Sequence, residues 1–159
     1  MRVDEFRDDI IRPALKVVGL WSQAAETLLV GTILVESGGV FFKQVSGPAL
    51  SPFMIEPGTH LFIKEYLNRR RNSILKDKIL SACFMPLLPP DDCLIWNLRY
   101  ATLIARLVYW VRPEKLPDEN DITGLTKYYL QYYNTAMGKS TFDKSFKHFE
   151  MAHKELANG

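Results

Sequence analysis

The sequence predicts a mainly helical domain, and three observations carry that expectation. Apolar residues recur mostly at helical spacing, whereas strict alternation over five or more residues is scarce. Gly, Pro and Ser gather between the periodic stretches, as in SGGVFFKQVSGPALSPF, and Pro-bearing breaks follow at MPLLPPDDC and RPEKLPDEN. The chain has 159 residues, of which 47% are hydrophobic and 24% charged. It therefore fits one domain, residues 1–159, able to bury roughly 70% of the surface it exposes when unfolded. Disorder and dependence on disulfides are not expected.

The first helix is read over about Asp4 to Val18, with Phe6, Ile10, Ala14, Leu15 and Val18 along one stripe and a bend or restart at Pro13. Gly19 ends it, and Ser22 caps a second helix from Gln23 to about Val35, apolar on most faces and hence buried. One short extended candidate, Val40 to Val45, follows as a loop or small hairpin. Pro57 suits a first helical turn, so a third helix runs from Gly58 to about Asn68. A basic turn, Arg69 to Arg71, leads to a short fourth helix over Ile74 to Ala82. Asp91 or Asp92 opens a long central helix to about Val111, and Asp121 caps a sixth through about Asn134. Ser140 and Asp143 have capping-box spacing before a last helix with Phe142, Phe146, Phe149 and Leu156 facing inward. The expectation is about seven helices around one core.

Composition also excludes whole classes of function. Twenty Lys and Arg against 18 Asp and Glu give a net charge of +2, so no general basic character argues for nucleic acid. Cys83 and Cys93 have no His or Cys neighbour at metal-binding spacing, and neither a metal nor another cofactor is expected. The start, MRVDEFRDDIIRP, lacks the basic-then-apolar pattern of a signal peptide. The longest apolar run, Leu28 to Val35, is far short of the ~20 residues that span a bilayer.

Glu36 is the most informative position. It ends a hydrophobic helix and is followed at once by Ser37, Gly38 and Gly39. Burial there favours the protonated carboxyl, the form that a general acid needs to protonate a glycosidic oxygen. The alternative is a helix-end Glu that caps a loop amide or points into water. Between Ser37 and Ile55 there is no Asp or Glu, so a second carboxylate from that loop is excluded, and only Glu56 lies close in sequence. A single-acid mechanism in which the substrate supplies its own nucleophile fits better than a two-carboxylate one. Glu56 itself suits the start of the third helix, where the dipole favours an anion.

The strings LLVGTILVESGG, SGPALSPFMIEPGTH, NLRYATLIARLVYW and LTKYYLQYYNT, in that order, span nearly the whole chain. Together they resemble the motif series of the lysozyme-like soluble lytic transglycosylases: a helix ending in Glu-Ser, a Gly-Leu-Met-Gln loop before Pro-x-Thr, an Asn-bearing central helix and a late Tyr-Asn. A group of tailed-bacteriophage proteins of this size is similar as well, with a GPAL and EP-x-TH loop and a YYNT-x-GK ending. The resemblance implies a lysozyme-like helical fold, Glu36 as the catalytic acid, and Ser37, Ser51, Met54, Tyr133 and Asn134 around the substrate. Its implied partner is the peptidoglycan glycan strand. Tyr133 and Asn134 would hold the acid and the substrate amide in register, and Ser37 would orient the acid.

This chain departs from the pattern where the family has Gly-Leu-Met-Gln: Ser51, Pro52, Phe53 and Met54 stand there. A thioether is a weak acceptor and no donor, so a sugar contact of about 1 to 3 kcal/mol is lost. Tyr128 and Tyr129 are read as core packing, His60 as a rim or packing residue, and Arg69 to Arg71 as a solvated run. Two functions follow as expectations. One is a phage-associated, peptidoglycan-cleaving enzyme, carried in the virion or held in the host cytoplasm before release. The other is the same fold kept as a non-catalytic structural protein, bound to other virion proteins.

Overall fold

The computed structural model describes residues 2–134 and 140–157. Thr135, Gly138 and Lys139 of the late tyrosine motif lie outside the described residues. The fold is mainly helical, and its longest helices pack on a shared core.

The chain opens with α1 (Val3–Phe6) and α2 (Arg12–Val18), joined without a break by a π turn at Arg7–Ile11. The irregularity expected at Pro13 is thus this wider turn just before it. Pro13 has no N–H for the carbonyl four residues back and its ring crowds that carbonyl, a conflict that a π turn absorbs. Gly19, at φ 77°, stops α2, and the Leu20 N–H reaches back to the Leu15 carbonyl at 2.9 Å. Ser22 then caps α3 (Gln23–Glu36), accepting from the Ala25 N–H at 3.0 Å.

Helix α3 is buried from Ala24 to Ile33 and forms the centre of the molecule with α7 (Leu98–Trp110), buried from Tyr100 to Tyr109. A hydroxyl pair joins them, Thr32 to Tyr109 at 2.7 Å. The long helix expected from Asp91 is in fact two: α6 (Cys93–Trp96) and α7. Asn97, at φ −105° and ψ 85°, leaves the helix between them because its side chain caps the second piece, accepting from the Tyr100 N–H at 3.0 Å. Neither aspartate caps α6. Asp92 sits at the cap position without a side-chain bond, and Asp91 accepts instead from His60 Nδ1 at 2.6 Å. His60 is wholly buried, and the Tyr100 hydroxyl donates to its Nε2 at 2.8 Å. Burial lowers the pKa of that imidazole, against the pull of Asp91.

Helices α4 (Pro57–Leu67) and α5 (Ser73–Ala82) flank a 3-10 turn at Arg70–Asn72 whose arginines are exposed. Asp121 caps α8 (Ile122–Tyr132) through the Gly124 N–H at 2.8 Å. Helix α9 (Phe142–Ala157) packs along α3. Its cap is Thr141, which accepts from the Lys144 N–H at 3.4 Å, while Ser140 bonds the Ser145 hydroxyl instead of forming a capping box. Its buried line is Ser145, Phe149 and Ala152, with Phe142 left at the surface. Phe149 lies so close to Gly31 that a Cβ there would come within 2.5 Å of the ring, so the α3–α9 contact requires glycine.

Among the described residues, extended structure is limited to two isolated antiparallel bridges, Lys43 with Leu50 and Leu50 with Ile55. No helix among them is long and apolar enough to cross a membrane.

Candidate active site

Helix α3 carries two carboxylates of opposite character. Glu26 is wholly buried and fully paired: Arg12 reaches it through two nitrogens at 2.9 and 2.6 Å, and the Trp21 indole N–H at 2.7 Å. This is a structural ion pair, and it raises the pKa of Arg12. Glu36, on the last turn, has no cation against it among the described residues. It lines a cavity of about 740 Å³, within the range of small-ligand sites.

The turn after Glu36 is shaped by Gly38 and Gly39, at φ 63° and 72°. Both values lie in the left-handed region that only glycine enters without strain. Ser37 locks this turn onto the next loop: its hydroxyl donates to the Pro52 carbonyl at 2.7 Å and accepts from the Gly39 N–H at 3.1 Å. The loop itself is a tight reversal, with Leu50 and Ile55 exchanging two backbone bonds at 2.9 and 2.8 Å around residues 51–54. Ser51 and Met54 both sit at positive φ, 70° and 49°, at a cost of roughly 1 kcal/mol or more for a residue with a Cβ. Ser51 is buried, and its hydroxyl accepts from the Phe53 N–H at 3.2 Å.

The opposite wall is α8. The Tyr129 hydroxyl donates to Glu36 Oε1 at 2.7 Å. The Tyr133 hydroxyl donates to the Phe53 carbonyl at 2.7 Å, tying the end of α8 to the strained loop. Asn134 also lines the cavity and donates to the Ser140 carbonyl at 3.2 Å.

These positions reassign several roles. Glu36, Met54, Tyr133 and Asn134 come together around the cavity. Ser37 and Ser51 do not line it; their hydroxyls are engaged with backbone, and they hold the loop that forms one wall. The side chain that bonds the Glu36 carboxyl is Tyr129, which periodicity alone had placed in the core. Its ring is indeed buried, and only its hydroxyl emerges at the site. A tyrosine one helical turn before Tyr133, on the same face, was the available signal. Glu56, at the N-terminal cap position of α4, makes no capping bond with its side chain and lines the cavity too.

Removal from water pushes the Glu36 pKa up from 4.5 to about 7. The negative charge of Glu56 acts in the same direction, and the hydrogen bond from Tyr129 opposes both. Near pH 6 the carboxyl therefore keeps its proton. Tyr129 cannot compete for the charge, because burial and Glu36 raise its own pKa and leave it a donor. A neutral carboxyl held by one hydrogen bond and open to a cavity can donate a proton to a bound oxygen and later take one back.

Cys83 and Cys93 are buried free thiols, remote from this chemistry, with pKa values pushed up by burial to about 12 and about 11. Compared with known proteins, the chain matches no family model, no curated protein and no solved structure.

Proposed function

We propose that the chain is a phage-associated, lysozyme-like enzyme that cleaves peptidoglycan, of lytic transglycosylase or muramidase type. The observation that supports this reading best is Glu36: a carboxyl with no cationic partner among the described residues, positioned by Tyr129, that keeps its proton to about pH 7 at a ligand-sized cavity. The ordered motifs of the chain point the same way. In this reading Glu36 protonates the glycosidic oxygen between N-acetylmuramic acid and N-acetylglucosamine as the C1–O bond breaks. The acetamido oxygen of the substrate bonds to C1 in place of the leaving group. The Glu36 carboxylate then takes a proton from the incoming hydroxyl, either the sugar's own or that of water, and is ready for another turnover.

The test compares wild type with Glu36→Gln on purified cell walls, by turbidity and by mass spectrometry of released muropeptides. Clearing by wild type alone, with anhydro- or reducing-end products, is expected. Equal clearing, or none by either protein, refutes the enzyme. The second reading, a structural protein bound within a phage virion, draws support from Met54, which brings a thioether to the cavity where a polar contact to sugar would be useful. It predicts stable binding to other virion proteins and no muropeptide release.

A further inference from the structure

The segment after the Gly38–Gly39 turn is unusual for a surface loop. Val40, Phe41, Phe42 and Val45 are exposed at 65%, 52%, 37% and 77%, four large apolar side chains within six residues. The segment is also ordered by backbone bonds: the Phe42 carbonyl accepts from the Ser51 N–H at 2.9 Å, the Gln44 N–H donates to the Ala49 carbonyl at 2.9 Å, and Lys43 bridges Leu50. In an extended segment alternate side chains share a face. Phe41 and Lys43 both line the cavity that holds Glu36, and Gln44 and Val45, where the chain turns, line it too. Val40 and Val45 remain largely in water and Phe41 is half exposed, so the fold leaves much of this apolar surface uncovered. An exposed apolar cluster held in fixed register beside a cavity is a contact surface for something else.

The charges of the same cavity say what that is. Among the described residues Lys43, Arg112 and Lys144 line it, and its carboxylates are Glu36 and Glu56. Arg112 is held in place, its Nε donating to the Val108 carbonyl at 3.1 Å and its guanidinium 5.4 Å from the centre of the Tyr132 ring. With Glu36 protonated, positive charge prevails around the cavity. Building on the proposed glycosidase, we infer that residues 40–45 form a recognition wall for a glycan strand that bears carboxylates, as peptide stems provide. Phe41 and Val45 cover the apolar faces of the sugar rings, and Lys43, with Arg112 and Lys144, binds the carboxylates. A neutral strand of the same sugars loses the second contribution and keeps the first.

The test uses the Glu36→Gln protein, which holds substrate without cutting it. Its binding is measured by calorimetry to soluble uncrosslinked peptidoglycan strands and to the same strands after amidation of their carboxylates. At low ionic strength the anionic strands bind about tenfold tighter, and the advantage shrinks as salt rises, because the Debye length falls from ~10 Å at 0.1 M to ~3 Å at 1 M. Adding Lys43→Gln lowers the preference about threefold to fivefold, the scale of one exposed ion pair, and leaves binding of the amidated strands unchanged. Adding Phe41→Ala weakens both ligands alike, by about fivefold to tenfold. Equal affinity for the two strands, indifference to Lys43→Gln, or binding of neither strand overturns the inference. Binding with these preferences by a protein whose wild type releases no muropeptides sinks the glycosidase and leaves the wall standing. Cleavage by wild type without any charge preference does the reverse.

Discussion

Replacing Glu36 by Gln should stabilise the protein above neutral pH and leave it unchanged in acid. The folded chain holds this carboxyl at a pKa of about 7 against an ordinary 4.5. Below the unfolded value both states are protonated, and the site contributes its full share of stability. As pH rises from there, the unfolded state releases its proton first and is favoured, until the folded site also ionises near pH 7. At 1.36 kcal/mol per pH unit the loss reaches a ceiling of about 3 kcal/mol, which water at the cavity mouth reduces. Glutamine has the same shape, can still accept from Tyr129, and never ionises, so the variant escapes the loss. Urea unfolding of both proteins from pH 4 to pH 8.5 reads the difference directly. Curves that coincide at the acid end and separate by about 2 to 3 kcal/mol above pH 7 are expected, or on the order of 5 to 10 °C in Tm for a domain of this size. Parallel curves across the range would mean that Glu36 is solvated in the folded protein, and the argument for a held proton would fail.

Three further outcomes follow from the structure. Tyr129→Phe removes the one contact that lowers the Glu36 pKa, so the alkaline limb of the activity profile moves up by about one pH unit or less while the fold is kept; an unmoved limb would show that the hydroxyl does not act on the acid. Gly31→Ala forces a methyl against the Phe149 ring and should cost about 1 to 3 kcal/mol in denaturant unfolding, whereas an unchanged midpoint would place α9 elsewhere. Phe84, at φ 57° and 89% exposed, occupies the position just past the α5 terminus that favours glycine. Phe84→Gly is therefore expected to raise stability by roughly 1 kcal/mol, and a loss in its place would reveal a packing role for the ring.

Part of the candidate site was legible in the sequence: Glu36 from its own surroundings, and Met54, Tyr133 and Asn134, which line the same cavity, through the motif resemblance. Glu36 stands out in sequence because an oily helix, a carboxylate and a glycine turn are contiguous. The contacts that build the site are assembled across the chain: Tyr129 lies 93 residues from Glu36 and Tyr133 lies 80 residues from Phe53. The buried ring of Tyr129 obeys the helical period like that of a tyrosine that only packs, and its place one turn before Tyr133 was the sole local signal of another role. Ser37 and Ser51 illustrate the converse. Both stand at motif positions, yet a serine beside a tight turn finds backbone groups within reach, and those partners win over a ligand.

By itself the sequence determined the features that depend on neighbours within about four residues. These are the helical class, the stop at Gly19, the caps at Ser22 and Asp121, and the apolar spacing of α3. Each is a matter of local hydrogen bonding or apolar spacing that no distant contact reverses. Tertiary structure decided what depends on competition between partners. Asp91 was free to cap a helix until His60, itself held by Tyr100, claimed it from another element. Glu26 and Glu36 share one helix and one chemistry, and only the packing of Arg12 and Trp21 against the first made it a structural ion pair. The second met a tyrosine and an open cavity instead. Desolvation is set by everything that surrounds a group, so the proton on Glu36 belongs to the assembled fold.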